Sequence, residues 1–283
     1  LDDKLARFRA DFAGLDVPEP EVFASAPLHY RLRAEFRIWH QDGRLDYAMF
    51  DSADPRTPVT LSEFPAAAEP ICRVMGPLRE RLQASETLRR RLFQVEFLST
   101  LSGELMVSLV YHRPLDAQWE VAARALAAEF GLQLIGRSRK QKIVLERDWL
   151  LEAFELDGRV LRYQQIEGSF TQPNGGVNRQ MLGWARRQAA GIGGDLLELY
   201  CGNGNFTIAL APLFDRVLAT EVSKSSVRAA HYNLEANGVD NVTMVRMSSD
   251  EISDAIAGGR AYRRMKAVEL ARYWLDRLGL AAR

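Results

Sequence analysis

The chain has 283 residues, of which 47% are hydrophobic and 26% charged, and its 37 Lys and Arg residues balance its 37 Asp and Glu residues. This length and composition are typical of a two-domain globular protein whose core needs neither disulfides nor metal ions for stability. Its two cysteines, Cys72 and Cys201, exclude a disulfide framework and a four-cysteine iron–sulfur site.

The apolar runs are too short to cross a membrane, and no basic and apolar leader opens the sequence. Together with the two widely separated cysteines, this predicts a cytoplasmic protein. We also expect a monomer without a metal site. The net charge of zero leaves a nucleic-acid partner open, because basic side chains can still cluster on one face.

Two hairpins are predicted in the first half, because apolar and charged side chains alternate along segments that flank glycine-containing turns. Their strands and turns are 29–40 (HYRLRAEFRIWH), Asp42-Gly43 and 45–50 for the first, and 92–100, Ser102-Gly103 and 104–112 for the second. Between them, residues 64–84 have helical spacing, and we expect Pro70 and Pro77 to break this stretch into shorter helices. The further elements predicted here are a helix at 117–130 and strands at 132–135 and 142–146.

Strands and helices alternate in the second half. The predicted elements are a helix at 174–190, a strand at 195–200, a helix at 206–211, a strand at 216–220, a helix at 223–237 and a strand at 242–246. This alternation predicts the start of a parallel, doubly wound sheet. We predict an α+β domain over residues 1–155 and a partial Rossmann-like α/β domain over residues 156–283, with the boundary within 147–163.

A glycine loop follows the first strand of the second half, in the segment ELYCGNGNF at 198–206. Glycines at this point let a ligand approach the backbone closely, and Glu221, at the end of the next strand, can accept hydrogen bonds from a ribose diol. The loop lacks the third glycine of dinucleotide-binding loops, which favours S-adenosylmethionine because that cofactor has no pyrophosphate. A strand-to-helix turn that merely needs small residues is the alternative for the glycines alone.

Three segments together resemble the cofactor site of the tRNA (uracil-5-)-methyltransferase family: SFTQPN at 169–174, residues 197–206 and ATE at 219–221. The other segments that carry the resemblance are 29–40, RLFQ at 91–94, 108–112, LIGR at 134–137, NLEANG at 233–238 and Asn241-Val242. The resemblance extends to about Tyr273. It implies the Rossmann-like fold of S-adenosylmethionine-dependent methyltransferases, with a parallel sheet that is incomplete at its C-terminal side.

The resemblance implies four ligands of S-adenosylmethionine. Glu221 would hold the ribose, Tyr200 and Asn205 would line the loop around the methionine end, and Gln172 would reach in from the preceding segment. Two of these residues also have simpler interpretations: Tyr200 can fill the core at a strand end, and Gln172 can be only a helix-entry residue.

The resemblance also implies a substrate, a uridine in the T-loop of tRNA. Relatives that act on ribosomal RNA usually have an additional N-terminal barrel and a four-cysteine cluster, and neither occurs in this sequence. Arg37, Phe93 and His112 would contact the RNA, since arginine pairs with phosphate and aromatic rings stack on unpaired bases. Alternatively, Phe93 belongs to the core, and Arg37 to the solvated face of a strand.

The family's nucleophile lies in a Ser-Cys-Asn-Pro segment, which follows an Asp-Pro-Pro-Arg segment and precedes a glutamate base. None of these occurs in the 283 residues, so the sequence predicts no catalytic residue and a chain cut short before the chemistry. We interpret Cys201 as a small buried thiol rather than a replacement nucleophile. The alternative function is that of a non-catalytic tRNA-binding protein.

Overall fold

The computed structural model describes residues 1–256, which form twelve strands and eight α-helices. The strands are β1 (Arg33–Gln41), β2 (Arg44–Phe50), β3 (Pro58–Leu61), β4 (Leu92–Ser99), β5 (Leu105–Tyr111), β6 (Gln133–Ser138), β7 (Gln141–Val144), β8 (Trp149–Leu156), β9 (Arg159–Ile166), β10 (Asp195–Glu198), β11 (Arg216–Glu221) and β12 (Val242–Arg246). The helices are α1 (Asp2–Asp11), α2 (Glu69–Ala84), α3 (Glu86–Arg89), α4 (Ala117–Phe130), α5 (Gly175–Ala189), α6 (Asn205–Leu210), α7 (Lys224–Ala236) and α8 (Ser249–Ile256).

The first seven strands form one sheet in the order β3-β2-β1-β4-β5-β6-β7. Neighbouring strands are antiparallel except β5 and β6, which run parallel and are joined by the crossover helix α4. Residues of α2 and α4 pack on one face of this sheet, where the side chains of Tyr47, Leu78 and Trp119 are completely buried. On the opposite face, Met106 and Ile135 pack against Leu150 of β8, and the part around Arg37 and His112 remains open.

Local sequence signals place two of these elements. The turn between β1 and β2 has positive φ at both Asp42 (50°) and Gly43 (75°), as the Asp-Gly pair predicts. Helix α4 begins where the Asp116 side chain accepts a hydrogen bond from the Trp119 N–H at 2.9 Å, and it ends at Gly131 with φ 60°. Both predicted hairpins of the first half and the helix at 117–130 are confirmed.

The prediction that Pro77 breaks the helical stretch is wrong, because α2 is one helix of 16 residues with Pro77 inside it. A proline in a helix interior costs about 3 kcal/mol through its missing N–H and its ring. Ile71 and Met75 before Pro77, and Leu78 and Leu82 after it, are buried against the sheet and hold both halves of the helix in line.

Strands β8 and β9 form a separate hairpin that the sequence analysis did not predict. Its turn has positive φ at Asp157 (50°) and Gly158 (74°), and the predicted domain boundary between residues 155 and 156 lies beside this turn. The hairpin is attached to α7, because the Gln164 N–H donates to the Asn233 side chain at 2.5 Å.

The last three strands form a parallel sheet in the order β10-β11-β12, with α6 and α7 as connections. This is the predicted Rossmann-like arrangement of the second half. The sequence resemblance continues into residues 257–273, which lie outside the described residues. Within residues 1–256, no helix combines the length and apolarity needed to span a bilayer.

Candidate functional site

A cavity of about 150 Å³ lies between the β8–β9 hairpin and the glycine loop after β10. It is lined by Leu32, Leu101, Glu152, Phe154, Tyr163, Gln165, Phe170, Thr171, Gln172, Gly175, Asn178, Glu198, Tyr200, Cys201, Gly202, Asn203, Asn205 and Phe206. Three of the four predicted cofactor ligands, Gln172, Tyr200 and Asn205, therefore share one cavity.

The hairpin provides one wall of the cavity. Glu152, Phe154, Tyr163 and Gln165 lie on the same face, since side chains alternate along each strand and Glu152 pairs with Tyr163 across the ladder. The Tyr163 hydroxyl donates to the Asn205 carbonyl oxygen at 3.1 Å, which fixes the hairpin against the glycine loop.

The glycine loop turns back on itself through residues with positive φ. Tyr200 (57°), Gly202 (59°) and Gly204 (84°) all adopt this conformation, and the Cys201 N–H donates to the Thr220 carbonyl on β11 at 3.0 Å. As a result the Tyr200 side chain is 72% exposed, and its hydroxyl contacts that of Ser249. Tyr200 is not core filling, so that alternative is wrong.

Asn205 begins helix α6 and is held by a reciprocal amide pair with Asn178 of α5. The Asn205 Nδ2 donates to Asn178 Oδ1 at 2.8 Å, and the Asn178 Nδ2 donates to Asn205 Oδ1 at 3.1 Å. The pair connects the glycine loop to the helix that follows Gln172, so two predicted ligands are positioned together.

Glu221 lies at the end of β11, beside the cavity rather than in its wall. Its Oε2 accepts from the Gly202 N–H at 3.1 Å, and its Oε1 accepts from the Val222 and Ser223 N–H groups at 2.8 and 2.7 Å. A carboxylate can accept about four hydrogen bonds, so Oε2 still has room for a ligand hydroxyl.

Two carboxyl groups line the cavity, the buried Glu152 and the half-buried Glu198, and desolvation raises the pKa of each to about 7. The Glu198 Oε2 accepts from the Thr207 hydroxyl at 2.6 Å, which partly offsets the effect of burial on its pKa. Among the described residues, no Lys, Arg or His side chain lines this cavity. Such a site suits a ligand that carries positive charge.

On the open face of the seven-stranded sheet, the three predicted RNA contacts form one stack. The rings of Phe93 and His112 lie 4.0 Å apart at 23°, and the Arg37 guanidinium lies 4.6 Å above the Phe93 ring. Phe93 is the extra residue of a β-bulge between Leu92 and Gln94, and this bulge directs its ring to the open face. Phe93 is not part of the core described above.

A charged cluster joins this sheet to the segment that leads into the cavity. Glu167 follows β9, and its side chain is only 4% exposed. Its carboxylate accepts from Arg137 Nε at 2.5 Å and from the Ser108 hydroxyl at 3.2 Å, and Lys142 Nζ lies 3.1 Å away. The Arg137 and Lys142 partners hold the Glu167 pKa below its usual value despite the burial that would raise it.

Comparison with known proteins identifies the family. The family profile described as tRNA (Uracil-5-)-methyltransferase matches residues 1–279, beyond Tyr273, where the sequence analysis ends the resemblance. This chain belongs to the tRNA (uracil-5-)-methyltransferase family.

Individual relatives agree with this assignment. The chain is 78% identical over 270 residues to the tRNA/tmRNA (uracil-C(5))-methyltransferase of Azoarcus sp. strain BH72, covering 95% of this chain and 74% of that protein. It is 73% identical over 273 residues to the protein of the same description from Aromatoleum aromaticum, covering 96% of this chain and 74% of that protein.

The fold is similar to that of the Pyrococcus abyssi tRNA (uracil-54, C5)-methyltransferase, whose crystal structure is a complex with S-adenosyl-L-homocysteine. The TM-score is 0.66 at 18% identity, and the match covers 88% of this chain and 63% of that one. The predicted fold class, a Rossmann-like methyltransferase unit preceded by antiparallel hairpins, is therefore confirmed.

The pKa of each cysteine thiol in this family member is raised rather than lowered, so neither is activated as a thiolate. Cys201 is 4% exposed, its Sγ lies 3.7 Å from Met244 Sδ, and burial, followed by the charges of Glu198 and Glu221, raises its pKa to about 12. Cys72 lies on α2, where its Sγ contacts the Ala67 carbonyl oxygen at 3.1 Å and burial also raises its pKa. The interpretation of Cys201 as a small buried thiol agrees with this geometry.

Sequence reasoning missed the hairpin wall and with it Glu152 and Gln165. The signal was present, because Asp157-Gly158 separates two alternating runs just as Asp42-Gly43 does in the first hairpin. The predicted domain boundary, within 147–163, falls on this hairpin instead. Its inward-facing polar residues therefore received no functional role.

Proposed function

We propose that this chain provides the tRNA-binding surface and the cofactor cavity of an S-adenosylmethionine-dependent methyltransferase. The enzyme would act on C5 of a T-loop uridine in tRNA and would be a cytoplasmic monomer. The observation that carries the proposal is the cavity, which combines three predicted cofactor ligands with two carboxyl groups. The stack of Arg37, Phe93 and His112 on the adjoining sheet supports an RNA substrate.

S-adenosylmethionine supplies an electrophilic methyl group when it is bound. Gln172, Tyr200 and Asn205 would surround its methionine end, and Glu221 would accept from its ribose hydroxyls. The two carboxyl groups of the cavity fit the positive charge of this cofactor, since a cation beside them favours their ionised form.

We further propose that these 283 residues do not complete methyl transfer alone. Uracil C5 is a poor nucleophile until a thiolate adds to C6, and a base must afterwards remove the C5 proton. The pKa of about 12 keeps the Cys201 thiol protonated at neutral pH, and Cys72 lies behind the RNA-facing sheet on α2. The alternative function, tRNA binding without catalysis, is supported by the same observations.

A covalent trap tests this part of the proposal. The purified chain is incubated with labelled S-adenosylmethionine and either T-arm RNA or T-arm RNA that contains 5-fluorouracil. After methyl transfer the C5 fluorine cannot leave as a proton does, so a nucleophilic cysteine would stay attached to C6 as a lasting adduct. We expect neither methyl incorporation nor an adduct, with RNA binding intact. An adduct that Cys201→Ser abolishes would instead make Cys201 the nucleophile.

The RNA surface is tested with the full chain and a T-arm stem-loop. The stem-loop should bind more tightly than a duplex of equal length, because its unpaired bases can stack on Phe93 and His112. Phe93→Ala should weaken binding by about 1–3 kcal/mol, the usual value of one base–aromatic stack. Arg37→Ala should weaken binding and also reduce its salt dependence.

Arg73→Ala is the matched control for the RNA surface, because Arg73 is exposed on α2 behind the sheet. This variant should bind the stem-loop like the wild type. Equal affinity of the wild type for stem-loop and duplex would contradict the assignment of the stack to loop recognition.

A further inference from the structure

Two side-chain oxygens in the cavity wall have no hydrogen-bond partner among residues 1–256. They are Gln165 Oε1 on the hairpin and Thr171 Oγ1 in the segment that leads to α5. Each residue is only 9% exposed, and both line the cavity. A buried polar atom without a partner destabilises a fold, so a chain that keeps two of them at one cavity requires a reason.

The position of these oxygens restricts which part of the proposed cofactor they can meet. The cavity includes the glycine loop at the end of β10, whereas Glu221, the proposed ribose ligand, ends the neighbouring strand β11 outside the cavity wall. Adjacent strands lie about 4.8 Å apart, so the cavity is displaced from the proposed ribose position, away from β12. The proposed methionine-end ligands Gln172, Tyr200 and Asn205 line it, which assigns it to the amino-acid end of the cofactor.

The charge of the cavity agrees with this position. An amide oxygen such as Gln165 Oε1 only accepts hydrogen bonds, and an ammonium group only donates them. A hydroxyl such as that of Thr171 can serve either an ammonium or a carboxylate. Glu152 and Glu198 add negative charge on ionisation, and no Lys, Arg or His of the described part of the chain lines the wall.

We infer that Gln165 and Thr171 bind the amino-acid end of the cofactor, with Gln165 Oε1 accepting from its α-ammonium group. This inference rests on the proposed function and adds two residues to its cofactor site. The hairpin then has a role in binding: it carries a ligand of the cofactor into a cavity otherwise formed by the glycine loop and α5.

Removal of these oxygens should not lower the stability of the free protein, but it should weaken the binding of the cofactor. Gln165→Leu and Thr171→Val remove oxygens that have no hydrogen-bond partner among residues 1–256, so the melting temperature of the free chain should stay the same or rise. Each variant should bind S-adenosylhomocysteine about tenfold more weakly, the usual loss for one hydrogen bond to a charged group. Gln165→Glu and Thr171→Ser keep an oxygen in place and should retain most of the affinity.

The experiment is calorimetric titration of the full chain and these variants with S-adenosylhomocysteine and with methylthioadenosine, which lacks the amino-acid end. The variants should lose affinity for the first ligand and bind the second like the wild type. An equal loss for both ligands, unchanged affinity for both, or a lower melting temperature of the free Leu and Val variants would overturn the inference and leave the proposed function standing. A wild-type chain that binds neither ligand would overturn the proposed function, and this inference with it.

Discussion

Glu221→Ala should weaken the binding of S-adenosylhomocysteine by about 1.5–3 kcal/mol, or roughly tenfold to a hundredfold, because a charge-assisted hydrogen bond to the ribose is lost. The substitution also removes the acceptor for the Gly202, Val222 and Ser223 N–H groups. These hydrogen bonds orient the glycine loop beside the cavity, so their loss also weakens binding. Both effects have the same sign. Calorimetric titration of wild type and variant measures their sum.

The matched control is Glu235→Ala, since Glu235 is exposed on α7 and takes no part in the cavity. Glu221→Gln removes the negative charge but keeps one acceptor oxygen, which can still serve the Val222 and Ser223 N–H groups while its NH2 group faces the Gly202 N–H. It should bind more weakly than wild type and more tightly than the Ala variant. Wild-type affinity in Glu221→Ala would show that the ribose is held elsewhere.

Glu152→Gln should remove a pH dependence of stability that amounts to about 3 kcal/mol in the wild type. Burial raises the Glu152 pKa from 4.5 to about 7, so the folded protein holds this proton more tightly than the unfolded chain does. The stabilising effect of protonation is present in full below pH 4.5 and is lost as the pH rises to 7 and above. The amide of the variant does not titrate, and this contribution disappears.

Urea unfolding at pH 5 and at pH 8 measures the change in the free energy of unfolding for each protein. The exposed Glu155 lies on the same strand, so Glu155→Gln controls for the loss of one carboxylate from β8. The wild type and the control should lose more stability between the two pH values than Glu152→Gln does. Identical pH dependence in all three proteins would show that Glu152 is ionised at low cost in the fold.

The predictable part of the fold consists of segments whose local signals agree with their tertiary contacts. Helix α4 follows its Asp116 cap and its Gly131 end, and strand β12 has the predicted limits. Helix α2 differs, because local chemistry at Pro77 opposes the helix while burial of its apolar face against the sheet stabilises it. Whether a helix face is buried depends on the element that packs against it, and a single sequence does not reveal that packing.

The candidate site likewise has residues that the sequence predicts and residues that only the tertiary structure reveals. Gln172, Tyr200 and Asn205 are predicted as ligands because they belong to segments that resemble the family, and the structure brings them to one cavity. Glu152 and Gln165 lie on a strand pair whose pattern predicts a hairpin but not which side faces a ligand. Only the folded chain brings the Gln165 oxygen, which has no hydrogen-bond partner among residues 1–256, and the raised pKa of Glu152 to the same cavity.

The cavity wall is shared with the seven-stranded sheet, and this has a thermodynamic consequence. The Leu101 N–H in the β4–β5 turn donates to Glu152, and Glu167 joins the segment before Gln172 to Arg137 on β6. An RNA that orders the sheet face would therefore also order the cavity. The RNA and the cofactor would then share the conformational entropy that is lost on ordering. Such coupling is reciprocal: if RNA tightens cofactor binding by some factor, the cofactor tightens RNA binding by the same factor.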